Sequence, residues 1–246
     1  MPSAVRSPVG CQCFAAKTRS SAPVVCADCA MSADPRGYQT GSQQAPHAEQ
    51  TATRGRIGVV TSSLPGWMSS TLAADGAAGA GALPPWIVAL SPEATVTGPA
   101  LVVAVGRDDN SPMKLVPGAV TTTGTVLVVA GASESRTAVL GDLVAADLRR
   151  AGIAAVVTDG LIRDSRAVAE LGLPVWARGV TPVASRKDGV GSVGGTVVIG
   201  GVPVCDGDVV VADADGVVIW PAAQVASYLS AADAKRQADD AKAAAG

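Results

Sequence analysis

From about residue 70 the chain alternates between β-branched runs and segments of helical period. TVTGPALVVAV (95–105) and GTVLVVAG (124–131) are apolar runs bounded by Gly and Pro, which predicts two buried strands. GDLVAADLRRAG (141–152) opens on Asp142, carries apolar Leu143, Ala146 and Leu148, and closes on Gly152; this predicts a helix. IAAVVT (153–158) reads as a strand, SRAVAELG (165–172) as a short helix and LPVWARG (173–179) as a third strand. Strands alternating with helices over short links predict a parallel sheet with right-handed crossovers.

The pattern then changes. GGTVVIGGVPVCDGDVVVADADGVVIWP (194–221) is a series of short strands punctuated by Gly-Gly, Asp-Gly and Asp-Ala-Asp-Gly, which are antiparallel hairpin signals. From Ala222 the chain is alanine-rich with Lys235, Arg236, Asp239, Asp240 and Lys242, which predicts a surface helix. Residues 1–66 are rich in Ser, Ala, Gln, Pro and Gly without apolar period and read as a disordered or targeting extension. The expected organisation is one α/β domain over 67–246: a parallel βαβαβ core, an antiparallel hairpin layer and a C-terminal helix.

Composition narrows the function. Of 246 residues 48% are hydrophobic but only 3% aromatic, so the core rests on Val, Ala, Leu and Ile. A formal charge of −2, with no basic cluster interleaved with aromatics, argues against a nucleic-acid surface. No apolar run approaches the ~18 residues that a membrane span needs. Cys11, Cys13, Cys26 and Cys29 lie in the first thirty residues and only Cys205 in the patterned part, which favours a reducing, cytoplasmic setting. Arg6, Lys17 and Arg19 precede the first acid, Asp28, so an organellar transit peptide is the alternative. The cysteine pairs lack the flanking pattern of a zinc knuckle. The sole histidine, His47, lies in the extension, which leaves the main domain without a Ser-His-Asp triad or a His-based zinc site.

Several motifs carry little. Gly189-Val190-Gly191-Ser192-Val193-Gly194 matches a dinucleotide fingerprint, but it follows a polar loop and precedes a strand, so no helix end would receive a pyrophosphate. Asp213-Ala214-Asp215-Gly216 lacks the closing glutamate of a calcium loop and reads as a hairpin turn. Lys187 falls in a solvated loop; Lys114 is retained as an alternative Schiff-base lysine.

The stretch VVTDGLIRDSRAV (156–168) holds the sharper signal: Arg163 and Asp164 stand side by side where an apolar strand ends. Arg163 offers a planar fork for a carboxylate or enolate oxygen, and Asp164 can ligate a hard cation such as Mg²⁺ or Mn²⁺. Asp142 opens a helix whose Leu143 and Val144 amides can cradle a carboxylate. If parallel strands precede both segments, their loops share one sheet edge and face one pocket. The plainer alternative is that Asp142 only caps its helix and that Arg163–Asp164 is a solvated pair.

Over about residues 70–221 the chain resembles the RraA-like family, which includes the class II 4-hydroxy-4-methyl-2-oxoglutarate aldolases. The resemblance lies in TGPALVV, GDLVAADLRRAGIAAVVTDGLIRD, LPVWARGVTP and GGVPVCDGDVVVADADGVVIWP, and above all in an aspartate, twenty residues and then Arg-Asp. It implies an α/β/β sandwich of swivelling-domain type. It implies a Mg²⁺- or Mn²⁺-dependent lyase that cleaves 4-hydroxy-2-oxo acids to pyruvate and decarboxylates oxaloacetate. Gly141, Asp142, Leu143, Val144 and Arg163 would bind substrate, Arg163 and Asp142 would be catalytic, and Asp164 would hold the metal. Family aldolases place a C-terminal acid in a neighbouring subunit's site; here only Asp233, Asp239 or Asp240 is available. A homotrimer or hexamer is therefore expected. Family members that bind a ribonuclease or helicase without catalysis tend to lack the aspartate after the arginine, which this chain retains.

Overall fold

The computed structural model describes residues 64–245. In chain order its elements are α1 (Ser70–Gly76), β1 (Val88–Ala89), β2 (Val96–Ala104), α2 (Val116–Ala119), β3 (Thr125–Ala130), β4 (Ala138–Leu140), α3 (Asp142–Arg150), β5 (Ile153–Thr158), β6 (Leu161–Ile162), α4 (Ser165–Glu170), β7 (Val175–Ala177), β8 (Gly179–Val180), β9 (Ser192–Val193), β10 (Thr196–Ile199), β11 (Val202–Cys205), β12 (Val209–Asp213), β13 (Gly216–Trp220) and α5 (Val225–Ala245).

The main sheet runs β1-β7-β5-β3-β2-β12-β13, with β9 alongside β2. β2, β3, β5 and β7 are parallel, and β1, β12 and β13 join antiparallel at the two sides. All six residues of β3 are buried, as befits a strand covered on both faces. One face sends Leu127, Val129 and Val156 against Ala145 and Leu148 of α3 and Val168 of α4. The other sends Val126, Val128 and Val157 against Val197, Ile199 and Val204 of the β10–β11 hairpin. The alternation of β-strand side chains thus divides one apolar run between a helical and a β layer, giving the expected α/β/β arrangement. A third cluster joins α1 and α5 to β12 and β13, with Leu64 and Met68 packed into it.

Each predicted strand forms. One helix faces differently from its expected apolar positions: α3 buries Ala145 and Leu148, whereas Leu143 is 74% exposed. The helix starts at Asp142, and the buried positions follow 141–145–148, a stripe of helical spacing that leaves Leu143 outside. Asp213–Gly216 is a hairpin turn, with Asp213 and Gly216 paired and the Asp213 carboxylate accepting the Asp215 amide at 3.0 Å. The predicted disordered or targeting extension, with its cysteines and His47, lies outside the described residues apart from its last three positions. Among the described residues no helix is long and apolar enough to cross a membrane.

Candidate functional site

The chain does not pass directly from the main sheet into the loops that carry Asp142 and Arg163–Asp164. A second, three-stranded parallel sheet, β4-β6-β8, intervenes. β4 ends at Leu140 and runs into Gly141–Asp142; β6 ends at Ile162 and runs into Arg163–Asp164; β8 ends at Val180 and runs into Thr181–Pro182. The Arg163 N–H donates to the Leu140 carbonyl at 3.0 Å and the Thr181 N–H to the Ile162 carbonyl at 2.9 Å. Parallel strands held in this register release their chains side by side. The three exits line one open cavity of about 590 Å³, with Asp142, Arg163, Asp164, Arg166, Glu170 and Thr181 in its wall.

Gly141 makes the packing possible. A Cβ there would stand 2.5 Å from Asp164 Oδ2 and 2.9 Å from both Cγ and Nε of Arg163, well inside van der Waals contact. The two loops therefore meet side chain against bare backbone. Arg163 Nε lies 3.2 Å from Asp164 Oδ2, with both side chains part-exposed. Asp164 has φ 54° and ψ 34°, a left-handed conformation that disfavours residues other than Gly, Asn and Asp. It stands at the start of α4 without making a side-chain cap bond, so its carboxylate stays turned towards Arg163 and the cavity. Asp142 is half-buried, and its Oδ1 accepts the Leu143 amide at 2.8 Å. In this state one amide of the expected cradle serves Asp142 itself.

Ahead of the three short strands a polar clamp ties their approaches together. Asp159, buried just ahead of β6, accepts the amides of Gly131 at 3.1 Å and Ala132 at 2.9 Å. Burial pushes its carboxyl above the usual range, against the opposing pull of those amides. Arg178, just ahead of β8, donates its side chain to the Ser135 carbonyl and its amide to the Gly160 carbonyl at 2.9 Å. The loop leading into β4 is thereby fixed against the segments leading into β6 and β8.

A strap, residues 184–191, packs against the segments around Asp109 and Ala138. Buried Asp109 accepts the amides of Gly189 at 2.7 Å and Asp188 at 3.1 Å, and the Ser111 amide and hydroxyl at 2.7 and 2.5 Å. These bonds, the Ser111 hydroxyl first, hold its carboxyl far below the usual range. A Cβ on Gly189 would lie 2.6 Å from Asp109 Cγ. That contact accounts for a glycine of the apparent dinucleotide motif, which here is a close-packed strap.

Other candidates separate from the cavity. Lys114 is exposed on a short 3-10 turn outside its wall, and Lys187 is exposed in the strap; neither is placed to form a Schiff base there. On α5, Asp233 and Asp240 pair with Arg236 at 2.7 and 2.9 Å, and Asp239 pairs with Lys235. None of the three lines the cavity of its own chain. Conversely, Arg166, Glu170, Thr181 and Pro182 line the cavity without having been singled out by sequence reading. Arg166 and Glu170 carried a signal, opposite charges at i and i+4, but one shared with ordinary solvated helices. Among the described residues no three acidic, Cys or His side chains cluster as a metal cage. Asp142 and Asp164 on one cavity wall do fit a hard cation of the Mg²⁺ kind, which takes one or two carboxylates and completes its shell with water or substrate.

Fold and cavity together define an α/β/β domain whose pocket opens at the carboxyl edge of a small accessory sheet. The chain belongs to the RraA-like family: the family model described as Aldolase/RraA matches residues 72–219. It is 40% identical over 146 residues to a Halalkalibacterium halodurans protein named "Putative 4-hydroxy-4-methyl-2-oxoglutarate aldolase", covering 59% of this chain and 68% of that one. An Alkalilimnicola ehrlichii protein of the same name is 43% identical over 96 residues, covering 39% of this chain and 60% of the relative. Among solved structures, Streptomyces coelicolor RraAS2, described as an unusual member of the RNase ES inhibitor RraA family, superposes with TM-score 0.65 at 30% identity, covering 73% of this chain and 94% of the other. An RNA-processing inhibitor RraA from Thermus thermophilus gives TM-score 0.56 at 29% identity, covering 63% and 93%.

Proposed function

We propose that this domain is a divalent-metal-dependent lyase that cleaves 4-hydroxy-4-methyl-2-oxoglutarate-type acids to pyruvate by a retro-aldol reaction and also decarboxylates oxaloacetate. The observation that carries this reading is the shared cavity: the exits of β4 and β6 bring Asp142, Arg163 and Asp164 to the wall of one space. The names of the two aldolase relatives support it.

Asp164 would hold Mg²⁺ or Mn²⁺, which when bound polarises the 2-keto oxygen as a Lewis acid. The substrate's C1 carboxylate docks at the start of α3, where the Leu143 and Val144 amides have no acceptor within the helix and the dipole favours an anion. It displaces Asp142 from the Leu143 amide and so frees that carboxylate. Asp142 receives the proton of the C4 hydroxyl, directly or through water; the C3–C4 bond breaks and its electrons move to the C2 oxygen as an enolate. Arg163 stabilises that developing charge, with Asp164 and Gly141 holding the guanidinium in place. A proton returned to C3 completes pyruvate. In oxaloacetate the bond to the C4 carboxylate breaks instead, carbon dioxide leaves, and the same enolate is protonated.

The test couples pyruvate release from both substrates to lactate dehydrogenase, with Mg²⁺ or with EDTA. Metal-dependent release that disappears in Asp164→Ala is expected; no metal-dependent pyruvate from either substrate overturns the assignment. The names of the Streptomyces and Thermus neighbours favour a second reading, a non-catalytic regulator that binds a ribonuclease. Inhibition of ribonuclease turnover, unchanged by Asp164→Ala, would support that one.

A further inference from the structure

We infer that Arg166 is the specificity-determining residue for a second, distal carboxylate on the substrate, and that Glu170 sets how firmly it is held. The inference rests on the aldolase reading of the same cavity. Four charged side chains besides Asp142 face that space: Arg163 and Asp164 at the mouth of β6, and Arg166 and Glu170 further along α4. Arg163 is committed, because it pairs with Asp164 and packs over Gly141. Arg166 is not. Its side chain is 94% exposed, and among the described residues its partner is Glu170, through a single Nε–Oε1 contact of 3.0 Å at i,i+4 spacing.

An exposed pair of this kind contributes little, because water screens it and two long side chains must be ordered to make it. Exchange of Glu170 for an incoming carboxylate is therefore nearly neutral for the helix. A guanidinium binds a carboxylate through two parallel N–H donors, whereas Glu170 is held through Nε alone. A two-pronged contact with substrate is thus the better one. Both residues line the cavity from α4, whereas the amides that would take the C1 carboxylate belong to a different element, the start of α3. A 2-oxo acid with one carboxylate has nothing to offer Arg166; a dicarboxylate reaches it with its far end. Glu170 opposes the same anion twice, as a competitor for Arg166 and as a like charge on the wall.

Binding measured without turnover separates this inference from the aldolase reading. Calorimetric titration of the full chain, in Mg²⁺, compares 2-oxoglutarate with 2-oxobutyrate. The dicarboxylate is expected to bind more tightly, by about tenfold for a charged hydrogen-bonded contact. Arg166→Gln should erase that margin and leave 2-oxobutyrate unchanged. Glu170→Gln should widen it, by about two- to fivefold from removal of one exposed charge. Equal binding of the two acids by the wild type, or a margin that survives Arg166→Gln, overturns the role of Arg166. Absence of pyruvate release with the margin intact would instead overturn the lyase reading alone. Both side chains are exposed, so the variants keep the fold, and unchanged circular dichroism checks this.

Discussion

At residue scale the site depends on one absent side chain and one strained backbone. Gly141 is needed for space rather than for a left-handed turn, since its φ is −136°. Gly141→Ala should push Asp164 and Arg163 outward by up to about 1 Å, the shift that returns a 2.5 Å approach to ordinary contact. Misplacement of that order lowers kcat/KM by about 100-fold for pyruvate release, while Tm stays within a few degrees because flexible side chains absorb the clash. Unchanged kinetics in that variant would separate these contacts from catalysis. Asp164 pays the opposite way. Its left-handed backbone costs on the order of 1 kcal/mol for a residue with a Cβ, and no cap bond repays it. Asp164→Gly is therefore expected to raise unfolding stability by up to about 1 kcal/mol in urea while removing metal-dependent activity. A variant both less stable and inactive would show that the aspartate is there for structure.

At the scale of elements, β2, β3 and β5 were readable because a strand covered on both faces becomes a continuous apolar run, and the glycine-marked hairpins because tight turns demand particular residues. The accessory sheet was not. β6 and β8 have two residues each, too few to display any period, and β4 hides inside a loop of mixed composition. Asp142, Arg163 and Asp164 could therefore be selected by chemistry and spacing, but not the strands that align them, nor Thr181 and Pro182 from the third exit. The strap's nucleotide-like motif is dismissed by its context alone, and the packing of Gly189 on Asp109 shows why such a match arises: glycines required by close packing imitate glycines required by a phosphate.

The strap also predicts a pH response. Asp109 titrates below its unfolded value, so the stability it contributes is fully present above roughly pH 4 and is lost as pH falls through its folded value. Asp109→Asn should lower Tm at pH 7, with the gap to wild type narrowing towards about pH 2. Asp159 has the opposite sign: its raised carboxyl favours the folded state more as pH falls from its folded value towards the unfolded one. A gap constant with pH would show that the charge of Asp109 does not matter.

For the whole molecule, the cavity of one chain is open and bordered by apolar side chains that the core does not use. Leu143 is 74%, Val180 58% and Val183 51% exposed, all within two residues of cavity-lining positions. α5 meanwhile keeps Asp233, Asp239 and Asp240 tied to its own cations. We propose a homo-oligomer that covers this border. Light scattering should give a trimer or hexamer mass, and Leu143→Asp combined with Val183→Asp should reduce it to a monomer. A monomeric wild type at micromolar concentration would refute the proposal.

The pocket stands on ladders of only two residue pairs each, whereas β3 in the sheet behind it is held over five on either side. Cooperative units with few bonds open first. Deuterium should therefore enter the amides of Arg163 and Thr181 well before those of Val126 to Val129, and a bound keto acid should slow the former selectively. The chemistry would then reside in the part of the molecule that breathes, with the rigid interior serving as its anchor.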